Sequence, residues 1–256
     1  MDFANKAVIV TGSSSGIGRE LAVAFAKRGA SVLVNYASSE KGAKETLALI
    51  EKEGGKGVIC QGDVSKAADC ERMVQACVDA YGRLDVLVNN AGCTSFVPFE
   101  NLDEVDEASW ERIMGVNVMG AFYCSRAAVR AMRATGGGSI ISLASIAGHR
   151  ANGSSIPYCA SKAAVLHMSR CLAKAVGPEI RVNTVSPGFI AETGWNDDKD
   201  DAQLRAIKES AVRDSVVKRT GAPKDITGAV LFLASEASSF CTGIDILVDG
   251  GRFFYV

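Results

Sequence analysis

KAVIVTGSSSGIG, residues 6–18, carries the strongest structural signal in this chain. Its first part, residues 6–11, is a continuous apolar run rich in valine and isoleucine, which is typical of a strand buried on both faces. A turn rich in glycine and serine follows, and a helix-period pattern then runs over residues 19–28 and ends at Gly29. The segment therefore predicts a strand, a loop and a helix in succession.

The alternation of strand and helix continues along the chain. The predicted strands are residues 6–11, 31–36, 57–61, 84–88, 139–143, 180–185 and 244–248, and further helices are predicted at 39–53, 66–81, within 108–133, at 157–176 and at 223–235. The strands are short apolar runs without an alternating polar face, which indicates a parallel sheet covered on both sides. Right-handed crossovers then place helices on both faces. We expect a doubly wound α/β fold with a seven-stranded parallel sheet.

The composition argues against several classes of function. The 256 residues include 28 basic and 29 acidic side chains, so the net charge of −1 gives no broad attraction for nucleic acid or for anionic lipid. No apolar run approaches the roughly 18–20 residues that a bilayer-spanning helix needs. We therefore expect neither a nucleic-acid partner nor a membrane.

The cysteines and histidines are informative through their spacing and number. Eight cysteines are scattered without a Cys-x-x-Cys pair in a chain too long to need disulfides, so we interpret them as reduced thiols in a cytoplasmic compartment. His149 and His167 are the two histidines, too few for a catalytic zinc site or a histidine-dependent triad at ordinary spacing. Most hydrolase chemistries are thereby disfavoured.

No low-complexity linker divides the chain, so residues 1–256 are predicted to form one domain. The polar, charged segment 192–201 follows a Pro-Gly pair at the carboxyl end of a predicted strand. A solvated loop is one interpretation, and a mobile substrate lid over residues 189–218 is the one we favour. Phe189 and Trp195 are then candidates for an apolar pocket wall, with packing within the lid as the alternative.

The turn after the first strand has the spacing of a phosphate-binding loop. Gly12, Gly16 and Gly18 permit a tight turn and the approach of a pyrophosphate to the helix N-terminus. A purely structural turn uses the same residues. Asp63 follows the third strand and Asn89 the fourth, so a parallel sheet brings their loops to the same edge, with loop capping as the structural alternative.

Tyr158 and Lys162 are four residues apart near the start of a predicted helix, so they share one helix face. An ammonium group beside a phenol is expected to lower the phenol pKa and to permit proton exchange near neutral pH. Ser145 lies just beyond the fifth strand, where its hydroxyl can hydrogen-bond a substrate oxygen. An ordinary Tyr and Lys on one helix face is the structural alternative, and the position at the carboxyl edge favours catalysis.

In this order, the motifs resemble the ordinary-length branch of the short-chain dehydrogenase/reductase family. The resemblance covers nearly the whole chain, and the residues that carry it are 11–18, Asn89-Asn90-Ala91-Gly92, Asn117, Ser145, 158–162, Pro187-Gly188 and 248–251. It implies a Rossmann-like fold, a nicotinamide cofactor, and hydride exchange between that cofactor and an alcohol or carbonyl substrate.

The resemblance also implies roles for individual residues. Tyr158 would exchange a proton with the substrate oxygen, and Ser145 would orient that oxygen. Lys162 would lower the phenol pKa and hold the ribose hydroxyls, and Asn117 would bind a water that links the lysine to solvent. The implied cofactor contacts are Gly12, Ser14, Ser15, Gly16, Ile17, Gly18, Asn35, Tyr36, Ser38, Asp63, Val64, Asn89, Ala91, Gly92, Tyr158, Lys162, Pro187, Gly188, Ile190 and Thr193.

The end of the second strand favours NADP over NAD. An acid there would bond the ribose hydroxyls and repel a 2′-phosphate, but residues 34–39 contain none. Ser15 stands where many NADP enzymes of the family carry a basic residue, and Ala37 supplies no positive charge. The candidate phosphate contacts are Ser14, Asn35, Ser38 and Lys41, with NAD as the alternative cofactor.

We therefore expect an NADP-dependent carbonyl reductase or secondary alcohol dehydrogenase that acts on a small molecule. Reduction of 3-oxoacyl thioesters and oxidation of sugars in the manner of glucose dehydrogenase use the same catalytic group and stay open. The alternative of another class is a dinucleotide-sensing protein without turnover, which would not need Ser145, Tyr158 and Lys162 together. Family members are usually homotetramers, so the resemblance implies a homotetramer.

Overall fold

The computed structural model describes residues 1–195 and 201–254 and contains a parallel sheet with helices on both faces. The strands are β1 (Ala7–Val10), β2 (Ser31–Tyr36), β3 (Lys56–Gln61), β4 (Val86–Asn89), β5 (Gly138–Leu143), β6 (Ile180–Pro187) and β7 (Asp245–Val248). The α-helices are α1 (Gly16–Ala26), α2 (Glu40–Lys52), α3 (Ala67–Tyr81), α4 (Glu107–Met114), α5 (Gly120–Ala134), α6 (Ile156–Val176), α7 (Asp201–Asp214) and α8 (Pro223–Ala234). The strand order across this part of the chain is β3-β2-β1-β4-β5-β6-β7. The predicted Rossmann-like, seven-stranded fold is confirmed.

Alternate side chains of β1 enter two separate apolar cores. Val8 and Val10 pack into a core that also contains side chains of α1, α2 and α8. Ala7 and Ile9 pack into the other core, with side chains of α3, α5 and α6. All four β1 residues are buried, because helices cover both faces of the sheet. This two-sided burial explains why the strand sequences have no polar face.

Two helices differ from their predicted bounds in the region of the site. α1 begins at Gly16 rather than at residue 19, because the extended backbone of Ser15 lets Gly16 open the first turn. The predicted helical region within 108–133 is divided into α4 and α5 by a π-helical turn, Gly115–Met119. Turns of this kind occur often at functional sites, and Asn117 lies in this one.

Strands β2 and β3 lie on one side of β1, and strands β4 to β7 lie on the other. The loops that follow β1 and β4 therefore lead in opposite directions, which opens a crevice between them at the carboxyl edge of the sheet. The hydroxyl of Thr11 connects the two loops by accepting hydrogen bonds from the backbone N–H groups of Asn90 and Ala91, each at 3.0 Å. The fold therefore brings the glycine-rich turn beside residues 90–92.

Two further properties of the described residues concern membrane spans and cysteines. Among the described helices, none combines the length and the apolar character needed to cross a bilayer. The eight cysteines all lie within the described residues, and each is a free thiol.

Candidate active site

A cavity of about 930 Å³ opens at the carboxyl edge of the sheet, within the size range of small-molecule sites. It brings together the predicted catalytic side chains Ser145, Tyr158 and Lys162. The predicted cofactor contacts that line it are Gly12, Ser14, Ser15, Gly16, Ile17, Gly18, Asn35, Ser38, Asp63, Val64, Ala91, Gly92, Tyr158, Lys162, Pro187, Gly188, Ile190 and Thr193. Most residues selected from the sequence therefore meet at one site.

Two predicted cofactor contacts are buried away from this lining. Tyr36 packs into the apolar core that contains α1. The side-chain amide of Asn89 donates to the hydroxyls of Ser125 at 3.0 Å and Ser142 at 3.2 Å. Both side chains hold the edge of the sheet together, so neither one lines the cavity, and contact of their backbone with a cofactor stays a prediction.

Asn35 lines the cavity, but its amide bonds to the loop after β1, to β3 and to the loop after β3. Its Oδ1 accepts from the backbone N–H of Gly12 at 3.0 Å, and its Nδ2 donates to the carbonyl oxygens of Gly62 at 3.0 Å and Cys60 at 3.3 Å. An amide has two N–H donors, and both are used. The expectation that Asn35 donates to a phosphate is therefore wrong. Lys41 is exposed and lies outside the lining.

The N-terminus of α1 is prepared for an anion. Ser15 is the N-cap residue but makes no side-chain capping bond, and the first turn contains no acidic residue. The leading backbone N–H groups of a helix lack partners within the helix and carry a partial positive charge. Gly16 has φ +53°, and a Cβ there would lie 2.9 Å from the carbonyl oxygen of Thr193. This cradle fits a dinucleotide pyrophosphate, which needs the close backbone approach that glycine allows.

Tyr158 lies in the first turn of α6, which begins after the N-cap Ser155. Burial raises the pKa of Tyr158 to about 12, and a hydrogen bond with the Ser145 hydroxyl opposes this shift only in part. The ring meets that of Trp195 edge to face, with 5.6 Å between the ring centroids. The phenol is therefore protonated at neutral pH and able to donate.

Lys162 lies one turn further along α6, as the spacing predicts. Its buried Nζ donates to the Leu143 carbonyl oxygen at 2.8 Å and lies 5.7 Å from the centre of the Tyr158 ring. Burial lowers the pKa of Lys162 from its ordinary value of 10.5 to about 8. The expectation that this ammonium lowers the phenol pKa below its ordinary value is wrong here, because burial of the phenol has the larger effect.

The shifted pKa of Lys162 predicts that this side chain costs stability. Between about pH 8 and pH 10.5 the unfolded chain binds more protons than the folded one, so the free energy of unfolding rises with pH over this window. The cost is fully present below about pH 8. We expect Lys162→Met to raise the free energy of unfolding at pH 7 by on the order of 1–3 kcal/mol, even though it leaves the Leu143 carbonyl without its partner.

Urea unfolding of both proteins from pH 7 to pH 10.5 measures this difference, which should shrink as pH rises. Lys174→Met is the matched control, because Lys174 is exposed near the end of the same helix. A Lys162→Met protein that is less stable than the parent at pH 7 would contradict the prediction.

Ser145 is held with its hydroxyl ready to donate. It caps a short 3₁₀ turn, Ile146–Gly148, where its Oγ accepts from the backbone N–H of Ala147 at 3.1 Å. This bond uses an acceptor position and leaves the single O–H free. The hydroxyl can therefore donate to Tyr158 or to a substrate oxygen between them.

Asn117 clamps the loop after β4 against α6. Its Oδ1 accepts from the Cys93 N–H at 2.8 Å, while its Nδ2 donates to the Cys93 carbonyl at 3.0 Å and to the Ser161 hydroxyl at 2.9 Å. Both amide protons are committed, so the expected water could bond only to an oxygen of Asn117, either Oδ1 or the backbone carbonyl. Asn117 is outside the cavity lining, and this geometry makes it a positioning residue.

The end of the cavity formed by α7 contains residues that the sequence analysis did not select. They are Asn152, Gly153, Ser154, Ala206, Ile207, Ser210 and Arg252. They come from the loop before α6, from α7 and from the turn after β7, and no local motif marks any of them. Phe189 and Trp195 also line this end, while residues 196–200 of the predicted lid lie outside the described residues.

Three other reactive side chains, those of His149, His167 and Cys93, lie near the site or on α6. His149 is outside the lining, and its Nε2 lies 2.8 Å from Oδ2 of Asp245. His167 is exposed on α6. Cys93 lines the cavity, but burial raises its pKa above the ordinary thiol value. The site therefore presents a thiol there, not a thiolate nucleophile.

Comparison with known proteins agrees with this geometry. Residues 12–252 match the family described as enoyl-(acyl carrier protein) reductase. The putative ketoacyl reductase 2 of the granaticin polyketide synthase from Streptomyces violaceoruber is 41% identical over 243 residues, which cover 95% of this chain and 94% of that protein. The chain belongs to the short-chain dehydrogenase/reductase family. The resemblance found in the sequence is thereby confirmed.

Solved structures of this family superpose on nearly the whole chain. A putative short-chain alcohol dehydrogenase from Sinorhizobium meliloti 1021 has a TM-score of 0.91 at 35% identity and covers 100% of this chain and 99% of its own. The NADPH-dependent 3-quinuclidinone reductase from Rhodotorula rubra has a TM-score of 0.88 at 32% identity and covers 98% of this chain and 92% of its own. As a member of this family, the protein is an oxidoreductase that acts on small-molecule substrates.

Proposed function

We propose that the protein is an NADP(H)-dependent carbonyl reductase, which also runs in reverse as a secondary alcohol dehydrogenase. The observation that carries this proposal is the protonated Tyr158 beside the Ser145 hydroxyl, in a cavity that continues to the N-terminus of α1. The names of two relatives, a ketoacyl reductase and a quinuclidinone reductase, support a carbonyl substrate. Initial rates with NADPH and a panel of ketones, sugars and acyl thioesters test the proposal.

Each catalytic side chain has one task in this reaction. Tyr158 donates its phenolic proton to the carbonyl oxygen of the substrate, and Ser145 donates a hydrogen bond to the same oxygen. The nicotinamide, when bound, supplies the hydride. Lys162 places a cationic amine near the phenolate that forms, and Asn117 holds the wall of the cavity at Cys93. At neutral pH the phenol with its raised pKa is protonated, which is the form that carbonyl reduction uses.

The proposed cofactor site follows the lining of the cavity. The glycine-rich loop and the N-terminus of α1 hold the pyrophosphate, and Asp63 and Val64 border the adenine. The nicotinamide half is bordered by residues 90–92 and by the backbone near Gly188 and Ile190. The backbone of Thr193 lies beside Gly16 and covers the glycine-rich loop. For the 2′-phosphate we propose hydrogen bonds from Ser14 and Ser38, since both hydroxyls line this end of the cavity.

Ala37→Asp should reverse the cofactor preference. Ala37 is exposed at the end of β2 and lines the cavity, so a carboxylate there would repel a 2′-phosphate and could bond the ribose hydroxyls of NADH. We expect kcat/KM with NADPH to fall by about tenfold or more relative to NADH. Initial rates with both cofactors measure this ratio.

Ala37→Asn is the matched control, because it has nearly the same shape without the charge and should keep the preference for NADPH. A parent protein that uses NADH better than NADPH would contradict the proposed cofactor.

We also propose three properties of the protein as a whole. Residues 1–256 work as one domain, with residues 189–218 as a lid over the substrate. The chain forms a homotetramer. Trp110 and Met119 support an interface beside the α4–α5 junction, because these large apolar side chains are 37% and 42% exposed. The free thiols support a reducing, cytoplasmic location. Sedimentation equilibrium tests the tetramer.

A further inference from the structure

The cavity has different electrostatic character at its two ends. Among its described lining residues, the carboxylate is Asp63, which follows β3 at the adenine end, and the cations are Arg112, Lys162 and Arg252. Lys162 belongs to the catalytic group. Arg252 contacts Asp214 at the end of α7, so it lines the α7 end of the cavity, to which Ile207 contributes an apolar side chain and Ser210 a polar one. This end therefore combines apolar surface with a guanidinium group.

The guanidinium of Arg252 has few acceptors of its own. Its Nη2 lies 3.4 Å from Oδ2 of Asp214, a long contact for an ion pair, and its Nε is buried without a partner among the described residues. The side chain is 17% exposed. Asp214 is also shared, because Nε of Arg213 lies 3.5 Å from its other oxygen. Within residues 1–195 and 201–254, this largely buried guanidinium with five N–H donors is thus left with one weak acceptor.

The backbone holds this arginine in position. The Asp249 carboxylate accepts from the N–H groups of Gly251 at 2.9 Å and Phe253 at 2.6 Å, on either side of Arg252. The Gly250 carbonyl accepts from the backbone N–H of Val216 at 2.8 Å, just beyond α7. Arg252 therefore sits on a turn tied both to β7 and to the segment after α7, which limits its freedom to swing into solvent.

A planar guanidinium binds a carboxylate through two parallel hydrogen bonds. We propose that Arg252 binds a carboxylate of the substrate, so that the preferred substrates are oxo acids or hydroxy acids rather than neutral ketones. This proposal rests on the proposed function, since it assigns the substrate class of the same site. The oxygen that reacts lies at Tyr158 and Ser145, and the carboxylate lies at the α7 end of the cavity.

The test compares acids with their own methyl esters. Pyruvate, levulinate and benzoylformate differ in the distance between carboxylate and ketone, and each ester keeps the ketone and removes the charge. For the acid whose length fits, we expect kcat/KM at least about tenfold above that of its ester. Arg252→Met should lower kcat/KM for this acid by about 100-fold, mainly through KM, and leave the ester unchanged.

Two further variants separate recognition from structure. Arg252→Lys keeps the charge but loses the paired bonds, so it should restore part of the preference for the acid. Arg130→Gln is the matched control, because it removes a guanidinium that is 67% exposed, pairs with Glu71 and lies outside the cavity lining, and it should change neither rate. NADPH affinity should be the same in all of these proteins.

Equal use of acids and esters by the parent protein overturns the proposal, as does an Arg252→Met variant that loses both activities equally or loses NADPH affinity. If no ketone is reduced, titration of the NADPH complex with the acids, followed by protein fluorescence, still tests Arg252. Binding that Arg252→Met abolishes would then support the carboxylate site while the proposed reductase activity fails. Absence of binding would overturn the carboxylate site as well.

Discussion

Tyr158→Phe is expected to lower kcat for carbonyl reduction by about 1,000-fold, within the usual range for loss of a general acid. The substitution removes one oxygen atom from a ring that keeps its edge-to-face contact with Trp195. In the parent protein the phenol is protonated at neutral pH, because burial raises its pKa to about 12. Without it, the developing alkoxide has the Ser145 hydroxyl as its nearest donor but no proton to take. Single-turnover oxidation of NADPH measures the chemical step directly.

The same variant should bind NADPH as tightly as the parent protein, because the glycine-rich loop and the N-terminus of α1 are unchanged. Tyr123→Phe is the matched control: Tyr123 lies on α5 outside the cavity lining, and its loss of a hydroxyl should leave kcat unaltered. Tyr158→Phe with the kcat of the parent protein would show that another group supplies the proton.

Gly18→Ala is expected to weaken NADPH binding by about 100-fold, the upper part of the range for overpacking a close contact. A Cβ at residue 18 would collide with the Gly12 carbonyl oxygen and would lie 2.5 Å from Nδ2 of Asn90. That same Nδ2 donates to the carbonyl oxygens of Thr11 at 2.9 Å and Gly12 at 3.1 Å. The methyl group therefore displaces the amide that joins the loop after β1 to the loop after β4. Fluorescence titration with NADPH measures the loss of affinity.

Gly228→Ala provides the comparison. Gly228 lies within α8, where a Cβ would meet no atom within 4 Å. Alanine there should raise the free energy of unfolding by about 0.5–1 kcal/mol, because glycine is a poorer helix former, and should not change cofactor affinity. Equal NADPH affinity of Gly18→Ala and the parent protein would mean that the loop can move aside, and the proposed cofactor cradle would then be wrong.

The fold was predictable because its signals are local. Residues 7–10 are apolar without alternation, and this pattern requires cover on both faces wherever the strand lies in the chain. The glycine spacing at 12, 16 and 18 likewise predicts a close approach of backbone to ligand before any tertiary contact is known. The four-residue separation of Tyr158 and Lys162 places them on one face of α6 by helix geometry alone. The structure confirms the buried strand and the shared face of α6, and the approach of a ligand to the glycine-rich loop stays a prediction.

The sequence was a poorer guide to which polar side chains remain free to bind a ligand after other residues of the chain have taken their hydrogen bonds. The amide of Asn35 is adjacent to the expected phosphate position, but Gly12, Cys60 and Gly62 use its oxygen and both of its protons. Asn89 was expected to face the cofactor, yet its donors are taken by two buried serines. Hydrogen-bond partners distant in sequence decide which polar groups stay available, and no local pattern reveals them.

The sequence by itself thus determined the architecture, the family of enzymes and the edge of the sheet at which the site lies. These features follow from helix and strand periodicity and from glycine spacing, which are patterns of a few neighbouring residues. Assembly of the chain in three dimensions was needed to raise the pKa of the Tyr158 phenol and to bring Arg252 into one cavity with it. Burial and solvent exclusion are properties of packed neighbours from β5, α6, α7 and the turn after β7. The charge state of a buried phenol, and the acceptors left to a guanidinium, depend on those neighbours and not on adjacent residues.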